Sequence, residues 1–258
     1  MSFISSFTQG GVLVLQLNRP DKFNSFNRDM ALQLIAELDK AANEKAIRAV
    51  LLTGNGKAFC AGQDLAEAMD KNGPGIERIV NEHYNPIITK LRTLEKPVVC
   101  AVNGVAAGAG ANIALACDVV FAGKSVSFIQ AFSKIGLIPD SGGTFFLPKL
   151  VGFGKASALM MLGDKVSATE AEQMGMIYKM VEDDKLMEIA QACATTLSQM
   201  PTKGIALTKK LLNEGTINSL DKQLVREKEE QVKAASTYDY NEGVNAFLEK
   251  RQPVFKGE

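Results

Sequence analysis

The sequence has few of the groups that common active sites require. Histidine occurs once in 258 residues, so any mechanism that needs a histidine base must use His83. Its surroundings, NEHYNP, are typical of an exposed helix, and we expect His83 to be structural. The four cysteines form no CxxC pair and no pattern with histidine, which argues against a metal site and against a disulfide framework. Carboxylates are therefore the natural candidates for acid/base chemistry.

Net charge and long apolar runs are also missing. Lysine plus arginine and aspartate plus glutamate number 29 each. A balanced charge argues against nucleic acid or an anionic membrane as the main partner, although a local basic patch can still hold phosphates. No apolar run approaches the ~20 residues of a membrane helix, and the first residues, MSFISSFTQGG, lack a signal-peptide pattern. We expect a cytoplasmic protein with no nucleic-acid or membrane partner.

The first two thirds of the chain alternate between strand and helix patterns. Apolar, β-branched runs at 12–18, 48–54 and 96–104 predict buried strands, of which the first is expected to open the fold. Apolar spacing over 28–42 predicts a helix. Two short strands follow, and the strand patterns end at about residue 153. This βαβ order predicts parallel pairing with helices on the outside.

The last third of the chain predicts helices. Ser167-Ala-Thr-Glu170 is a capping box that opens a short helix. Four longer helical segments follow, at 184–200, 203–214, 218–236 and 241–250. A run of amphipathic helices after an α/β core favours a cap or an oligomer interface. We therefore divide the chain into a core, residues 1–195, and a helical region, residues 196–258.

Two glycine-bearing turns follow buried strands. They are KAFCAGQDL at 57–65 and NGVAAGAGANIAL at 103–115. Glycine lets the backbone approach a ligand closely, and a helix start offers unpaired N–H groups. The second turn matches neither GxGxxG nor the phosphate-binding P-loop. Two interpretations fit these turns. The small residues could serve tight packing of a helix on a strand, or the two turns could each aim an N–H group at one carbonyl oxygen and so form an oxyanion hole.

A third junction, IGLIPDSGGT at 135–144, places Asp140 between a proline and paired glycines. Four phenylalanines flank it, at positions 128, 132, 145 and 146. Asp140 fits a turn or helix N-cap, and it also fits a carboxylate in an apolar pocket with a raised pKa. The Asp-Ser-Gly-Gly run mimics the nucleophile loop of chymotrypsin-like proteases. That chemistry needs a histidine base on a double β-barrel, which the βαβ order contradicts.

In this order, these segments resemble the crotonase (enoyl-CoA hydratase/isomerase) superfamily along nearly the whole chain. NRPDKFNSFN resembles its first loop, AFCAGQDL and NGVAAGAGANIALACD its two oxyanion loops, and EGVNAFLEKRQPVFKG its C-terminal signature. The resemblance implies an α/β fold: a crotonase-like spiral of ββα and βαβ turns with a C-terminal helical trimerisation region. It implies an enzyme for acyl-CoA thioesters, with coenzyme A as part of the substrate and no separate cofactor. The assembly implied is a homotrimer or a dimer of trimers.

The resemblance also implies roles for single residues. The oxyanion donors would be the backbone N–H groups of Gln63 and Ala109, and Ala109 stands where the family usually has glycine. Seven residues match positions that contact coenzyme A: Lys22, Phe23, Ala61, Asp64, Leu65, Phe247 and Lys250. The last two would reach the coenzyme A of a neighbouring subunit, although Lys250 also fits an ordinary solvated lysine.

Departures from the family pattern bear on the reaction. Typical hydratases of this family hold water between two glutamates, and the matching positions here are Asn112 and Phe132. Neither side chain is a general base, so efficient hydration is not expected. We expect both residues, with Ile138, to line the substrate pocket. Asp140 matches a position where several isomerases and a dehalogenase of the family carry a catalytic aspartate.

The segment 128–144, with FCAGQDL and FLEKR, most resembles the branch of the family that isomerises ring-1,2-epoxyphenylacetyl-CoA in phenylacetate catabolism. That resemblance implies conversion of the ring epoxide to an oxepin, and movement of a double bond from the 3,4 to the 2,3 position of an acyl-CoA. Three alternatives stay open. Asp140 could be a nucleophile, as in the dehalogenase. The chain could instead be a general isomerase or hydratase of fatty-acid oxidation, or a non-catalytic subunit of a larger complex.

Overall fold

The computed structural model describes residues 2–258. Its strands are β1 (Ile4–Gln9), β2 (Val12–Leu17), β3 (Ala49–Gly54), β4 (Ala58–Cys60), β5 (Val98–Val102), β6 (Val105–Ala107), β7 (Val119–Gly123), β8 (Ser127–Ile129), β9 (Lys165–Ser167) and β10 (Lys179–Val181). Its α-helices are α1 (Arg28–Asn43), α2 (Leu65–Met69), α3 (Gly75–Arg78), α4 (Asn85–Thr93), α5 (Ala109–Leu115), α6 (Gly143–Val151), α7 (Phe153–Leu162), α8 (Ala168–Gln173), α9 (Leu186–Gln199), α10 (Thr202–Gly215), α11 (Leu220–Ala235) and α12 (Tyr238–Leu248). A π-helical turn, Ile79–Tyr84, joins α3 to α4. Short 3-10 helices cover Pro20–Lys22, Ala131–Ile135 and Asp183–Lys185.

Successive strands are shared between two sheets. The larger sheet has the order β1-β2-β3-β5-β7-β10, and the smaller has the order β4-β6-β8-β9. Each pair of consecutive strands from β3 to β8 gives its first strand to the large sheet and its second to the small one. From β2 to β10 the large sheet is parallel, so the predicted parallel pairing is confirmed.

The side chains of the large sheet alternate between two apolar layers, as the two-residue period of a strand requires. On one face, Val50 and Leu52 join the main core, to which α1, α4 and α5 contribute buried residues. On the other face, Leu51 packs against Ala190 and Ala194 of α9. Helices on both faces explain why β3 and β5 are buried along their whole length.

The chain opens with an antiparallel hairpin of β1 and β2 rather than with the single predicted strand. Gly10 and Gly11 form its turn at φ +57° and +80°, a left-handed conformation that glycine adopts without strain. β1 is mostly exposed, because it lies at the edge of the sheet, and its polar residues gave no apolar run to detect.

The expectation that strands end near residue 153 is wrong. β9 pairs with β8, and β10 adds a parallel strand beside β7. Each contains three residues, which is too short to show a period of two. The predicted capping box begins at the last residue of β9: the Ser167 hydroxyl accepts the N–H of Glu170, and the Glu170 carboxylate accepts the N–H of Ser167.

The polar neighbours of His83 predict an exposed helix, and this prediction is wrong. His83 is fully buried in the π-helical turn, and its Nε2 atom lies 3.2 Å from an Arg28 guanidinium nitrogen. Burial lowers the pKa of His83, and the Arg28 charge lowers it further. The imidazole is therefore neutral near pH 7.

Beyond β10, the described chain is helical, as predicted. α9 belongs to the core, whereas α11 buries a single residue, Glu230. None of the helices within residues 2–258 is both long enough and apolar enough to cross a membrane.

A buried ion pair fixes α10 to the core. Lys209 Nζ lies 2.8 Å from Asp118 Oδ2 and also donates to the carbonyls of Leu91 and Lys96. Asp118 accepts a further bond from the N–H of Val98, at the start of β5. Loss of the ammonium would leave the Asp118 carboxylate without this neutralising partner in a largely buried site.

We predict that Lys209→Met lowers the free energy of unfolding by about 1–3 kcal/mol. The Asp118 carboxylate keeps its ion pair with Arg92 but loses the one with Lys209, and the buried carbonyls of Leu91 and Lys96 lose their side-chain donor. Urea denaturation measures the change. Lys203→Met, at an exposed lysine of the same helix, is the matched control and is expected to stay within about 0.5 kcal/mol of the parent. Equal stabilities for the two variants would contradict the role given to Lys209.

Candidate active site

A cavity of about 600 Å³ lies beyond the carboxyl ends of β4, β6 and β8. These three strands are neighbours and run parallel, so the segments that follow them leave the same edge of the small sheet. The cavity walls come from residues 61–68, 76–85, 108–109 and 131–144. Ligand sites of open α/β sheets lie at this edge for the same topological reason.

The turns after β4 and β6 are in direct backbone contact. Gly62 has φ +92°, and a Cβ atom there would lie 3.0 Å from the Ala107 carbonyl oxygen and 3.6 Å from the Ala109 nitrogen. Close packing also explains Gly110, where a Cβ atom would lie 2.4 Å from the Cys60 carbonyl oxygen. The glycines therefore allow two backbone segments to meet at one side of the cavity.

Each of these turns carries one backbone N–H group that the pairing within helices and strands does not use. Ala109 is the first residue of α5, and such a position has no acceptor within its own helix. The Gly62 carbonyl accepts the N–H of Phe26 at 2.7 Å. Because N–H and C=O of a trans peptide point in opposite directions, the N–H of Gln63 points away from Phe26. The residues at both N–H positions line the cavity.

Asp140 lies in the cavity wall, half-buried, two residues before the N-cap of α6, which is Gly142. It is therefore not the helix cap that its sequence context also allowed. Burial raises the pKa of the Asp140 carboxyl, and a 2.9 Å hydrogen bond from the Ser141 hydroxyl partly opposes that rise. A carboxyl with a raised pKa accepts and returns protons more readily near neutral pH.

Asn112 is buried behind the cavity wall and is not among the residues that line the cavity. Its Nδ2 atom donates to the Asp140 carbonyl at 2.8 Å, and its Oδ1 atom accepts from Gln130 Nε2 at 2.8 Å. The N–H of Gly143 donates to the same Asp140 carbonyl. Asn112 therefore holds the backbone of the segment that carries Asp140.

The structure brings most of the other sequence-predicted residues to or near the cavity. Phe132, Ile138, Ala61 and Leu65 line it. Phe23 is 57% exposed, and its carbonyl accepts the N–H of Ala61 at 3.0 Å. Lys22, immediately before it, is exposed.

Asp64 is engaged in local structure instead. Burial acts to raise the pKa of its carboxyl, but hydrogen bonds from Arg19 and from the N–H of Ala66 bring it below the usual range. The Arg19 contact is an ion pair of 2.8 Å, and the Ala66 bond caps α2. Phe247 and Lys250 belong to the α12 end of the chain and do not line the cavity; Phe247 is 83% exposed.

Fewer phenylalanine side chains line the cavity around Asp140 than the sequence predicts. Of the four flanking phenylalanines, Phe132 alone lines the cavity, while Phe128 is part of the main core. The second aromatic lining residue is Tyr84, which the sequence interpretation missed because NEHYNP looked like an exposed helix. Isoleucine side chains from α3 and the π-helical turn complete the apolar wall. Across residues 2–258, no group of three or more His, Cys, Asp or Glu side chains could hold a metal ion.

Known proteins resemble this chain along its whole length. A family model described as enoyl-CoA hydratase/isomerase matches residues 7–258. The chain is 47% identical to a 1,2-epoxyphenylacetyl-CoA isomerase of Escherichia coli K12, with all of both chains covered. It is 34% identical to the 2,3-dehydroadipyl-CoA hydratase of the same strain, again over both whole chains. The crystal structure of an enoyl-CoA hydratase from Bacillus anthracis superposes with a TM-score of 0.92 at 34% identity, with all of both chains covered.

We predict that Asp140 titrates above the ~3.9 of an unperturbed aspartate, and that Ser141→Ala raises its pKa further. The hydroxyl of Ser141 stabilises the charged carboxylate, so its loss favours the protonated form. Infrared difference spectra of the carboxyl band, with the Asp140→Asn variant subtracted, measure the midpoint. Ser133→Ala, at an exposed serine of the same segment, is expected to leave it unchanged. A midpoint below the ordinary aspartate value would contradict the apolar setting.

Proposed function

This chain belongs to the enoyl-CoA hydratase/isomerase family, and we propose that it is an isomerase with Asp140 as its only acid/base residue. The family acts on coenzyme A thioesters, and the predicted crotonase-like α/β fold is confirmed. One observation carries the proposal: Gln63, Ala109 and Asp140 all line a single cavity.

The two N–H groups would hold the thioester oxygen. Removal of a proton beside the carbonyl places negative charge on that oxygen, as an enolate. Both donors belong to backbone that is fixed before the substrate binds, so stabilisation of this charge requires little reorganisation. Each donor of such a site contributes about 3–4 kcal/mol in other enzymes.

Asp140 would move the proton. As a carboxylate it removes a proton from the carbon beside the carbonyl, or from the vinylogous carbon, and the resulting acid returns the proton at the other end. A 1,3-shift needs one such group, because the base becomes the acid. The raised pKa of Asp140 suits both halves of the step.

The surroundings of Asp140 support isomerisation over hydration. Addition of water would need a second acid/base group, and the two positions that match the hydratase glutamates hold other side chains. Asn112 is turned into the structure, where it bonds the Asp140 carbonyl. Phe132 covers the turn before α5, and its ring would lie 3.7 Å from a Cβ atom at Gly108.

We propose ring-1,2-epoxyphenylacetyl-CoA as the substrate, with oxepin-CoA as the product, together with shifts of 3-enoyl-CoA to 2-enoyl-CoA. The supporting observations are the 47% identity to an enzyme named for that epoxide and the apolar cavity wall. A general isomerase or hydratase of fatty-acid oxidation is the alternative for the same site. Relative rates on ring-derived and straight-chain thioesters separate the two.

Binding of coenzyme A and assembly are part of the same proposal. Lys22, Phe23, Ala61, Asp64 and Leu65 would line the coenzyme A channel, and Phe247 and Lys250 would reach the coenzyme A of a neighbouring subunit. Residues 196–258 would form the oligomerisation region of a homotrimer or a dimer of trimers. Large exposed apolar side chains on α10 to α12 support this assembly: Leu212, Leu220, Leu224, Val232 and Phe247.

We predict that Asp140→Asn lowers kcat for 3-hexenoyl-CoA isomerisation by a factor of about 10² to 10⁴, the usual contribution of a general base, and leaves acyl-CoA binding intact. The amide keeps the shape of the side chain and cannot take the proton. Asp164→Asn, at an exposed aspartate, is the control. Near-parental turnover by Asp140→Asn would refute the assignment.

Two further outcomes of that assay decide between the alternatives. A covalent aspartyl adduct, seen by mass spectrometry of the quenched parent enzyme, would make Asp140 a nucleophile. Absence of turnover on every acyl-CoA tested, with binding intact, would identify a non-catalytic subunit.

We predict that crotonyl-CoA hydration is negligible beside isomerisation of 3-hexenoyl-CoA, because, within residues 2–258, Asp140 is the one carboxylate residue that lines the cavity. Loss of the enoyl absorbance measures hydration. A hydration rate of the same order as the isomerisation rate would contradict the roles given to Asn112 and Phe132.

A further inference from the structure

The side chain of Gln63 is held at both ends of its amide. Its Oε1 atom accepts the hydroxyl of Tyr84 at 2.8 Å, and its Nε2 atom donates to Glu67 Oε2 at 3.0 Å. The Glu67 carboxylate in turn accepts the N–H of Arg28 at 2.9 and 3.1 Å. A chain of hydrogen bonds therefore runs from the π-helical turn, through Gln63, to the start of α1.

Tyr84 is well placed to act as the donor in this chain. It is 1% exposed, and its ring packs edge-on against Phe26. Burial raises the pKa of the Tyr84 phenol well above its ordinary value, and the carboxylates of Asp140 and Glu67 act in the same direction. The hydroxyl therefore keeps its proton at every pH at which the protein works. Its position ends a π-helical turn, a distortion that is frequent at functional sites.

The peptide that carries the Gln63 N–H group needs a restraint on its orientation. Gly62, immediately before it, has φ +92°, and glycine leaves the Gly62–Gln63 peptide more rotational freedom than any other residue would. One bond from the N–H of Phe26 to the Gly62 carbonyl restrains that peptide from one side. The side-chain amide of Gln63 restrains the Cα atom on the other side of the same peptide.

We propose that Tyr84 is a positioning residue whose hydroxyl fixes the side chain of Gln63 and thereby aims the Gln63 N–H at the thioester oxygen. This inference rests on the function proposed above. It assigns Tyr84 to the oxyanion hole through Gln63, rather than to direct proton transfer or to direct contact with the acyl group.

The proposal predicts a non-additive pair of substitutions. Tyr84→Phe removes the hydroxyl and keeps the ring, while Gln63→Met keeps the backbone N–H and the length of the side chain. Each single variant is expected to lower kcat for 3-hexenoyl-CoA about tenfold, a part of what complete loss of one oxyanion donor costs, with KM within about twofold. In the Gln63→Met background, Tyr84→Phe is expected to change nothing further.

A spectroscopic readout separates positioning from loss of stability. The thioester carbonyl of bound cinnamoyl-CoA, which has no proton for Asp140 to remove at the vinylogous carbon, is expected to absorb at lower infrared frequency than free cinnamoyl-CoA. In Tyr84→Phe, and equally in Gln63→Met, that frequency is expected to return part of the way to the free value. Tyr178→Phe, at an exposed tyrosine packed on Phe121, is the matched control and is expected to keep the parental frequency.

Other outcomes overturn the inference. Additive losses in the double variant would make Tyr84 a direct participant, and a parental carbonyl frequency in Tyr84→Phe would leave it without a positioning role. If Tyr84→Phe fails to fold, a parental frequency in Gln63→Met alone would be sufficient to refute the proposal. Failure of the parent protein to bind or turn over acyl-CoA would instead refute the function on which the inference rests.

Discussion

The site depends on the parallel pairing of three very short strands. β4, β6 and β8 each contain three residues, and their carboxyl ends lie together at one edge of the small sheet. The segments that leave this edge carry Gln63, Ala109 and Asp140. The pairing is secured by backbone contacts that allow no side chain: a Cβ atom at Gly104 would lie 2.2 Å from the Lys57 carbonyl oxygen. A larger residue there would separate β4 from β6 and so move the two N–H groups apart.

The electrostatics of the cavity follow from its position. The N–H groups of a turn and of a helix start offer partial positive charge without any ionised side chain. Asp140 stands among apolar residues, and burial raises its pKa. The cavity is therefore prepared for negative charge that develops on a bound carbonyl oxygen, while its base remains able to give the proton back. Asn112 connects the two parts, since it belongs to α5 and bonds the carbonyl of Asp140.

The sequence predicted those features that local patterns encode. The apolar runs of β2, β3 and β5, the capping box at Ser167, and the glycine turns all have local causes, and they lie where we expected them. β9 and β10 were missed because three residues are too few for a period. The polar segment NEHYNP predicts an exposed helix, but His83 and Tyr84 are buried in it. Their burial is decided by α1 and by the turn after β4, which are distant in sequence. The burial of Asn112 behind the cavity wall could not be predicted for the same reason, because its partners, Gln130 and Asp140, are distant from it in sequence.

The central claim is that one thioester oxygen meets both backbone N–H groups while Asp140 faces the carbon chain beside it. A crystal structure with bound cinnamoyl-CoA tests it most directly. The account predicts the thioester oxygen within ~3 Å of the nitrogens of Gln63 and Ala109, with the Asp140 carboxyl next to the acyl carbons. A thioester bound elsewhere, or an oxygen that contacts neither nitrogen, would contradict it.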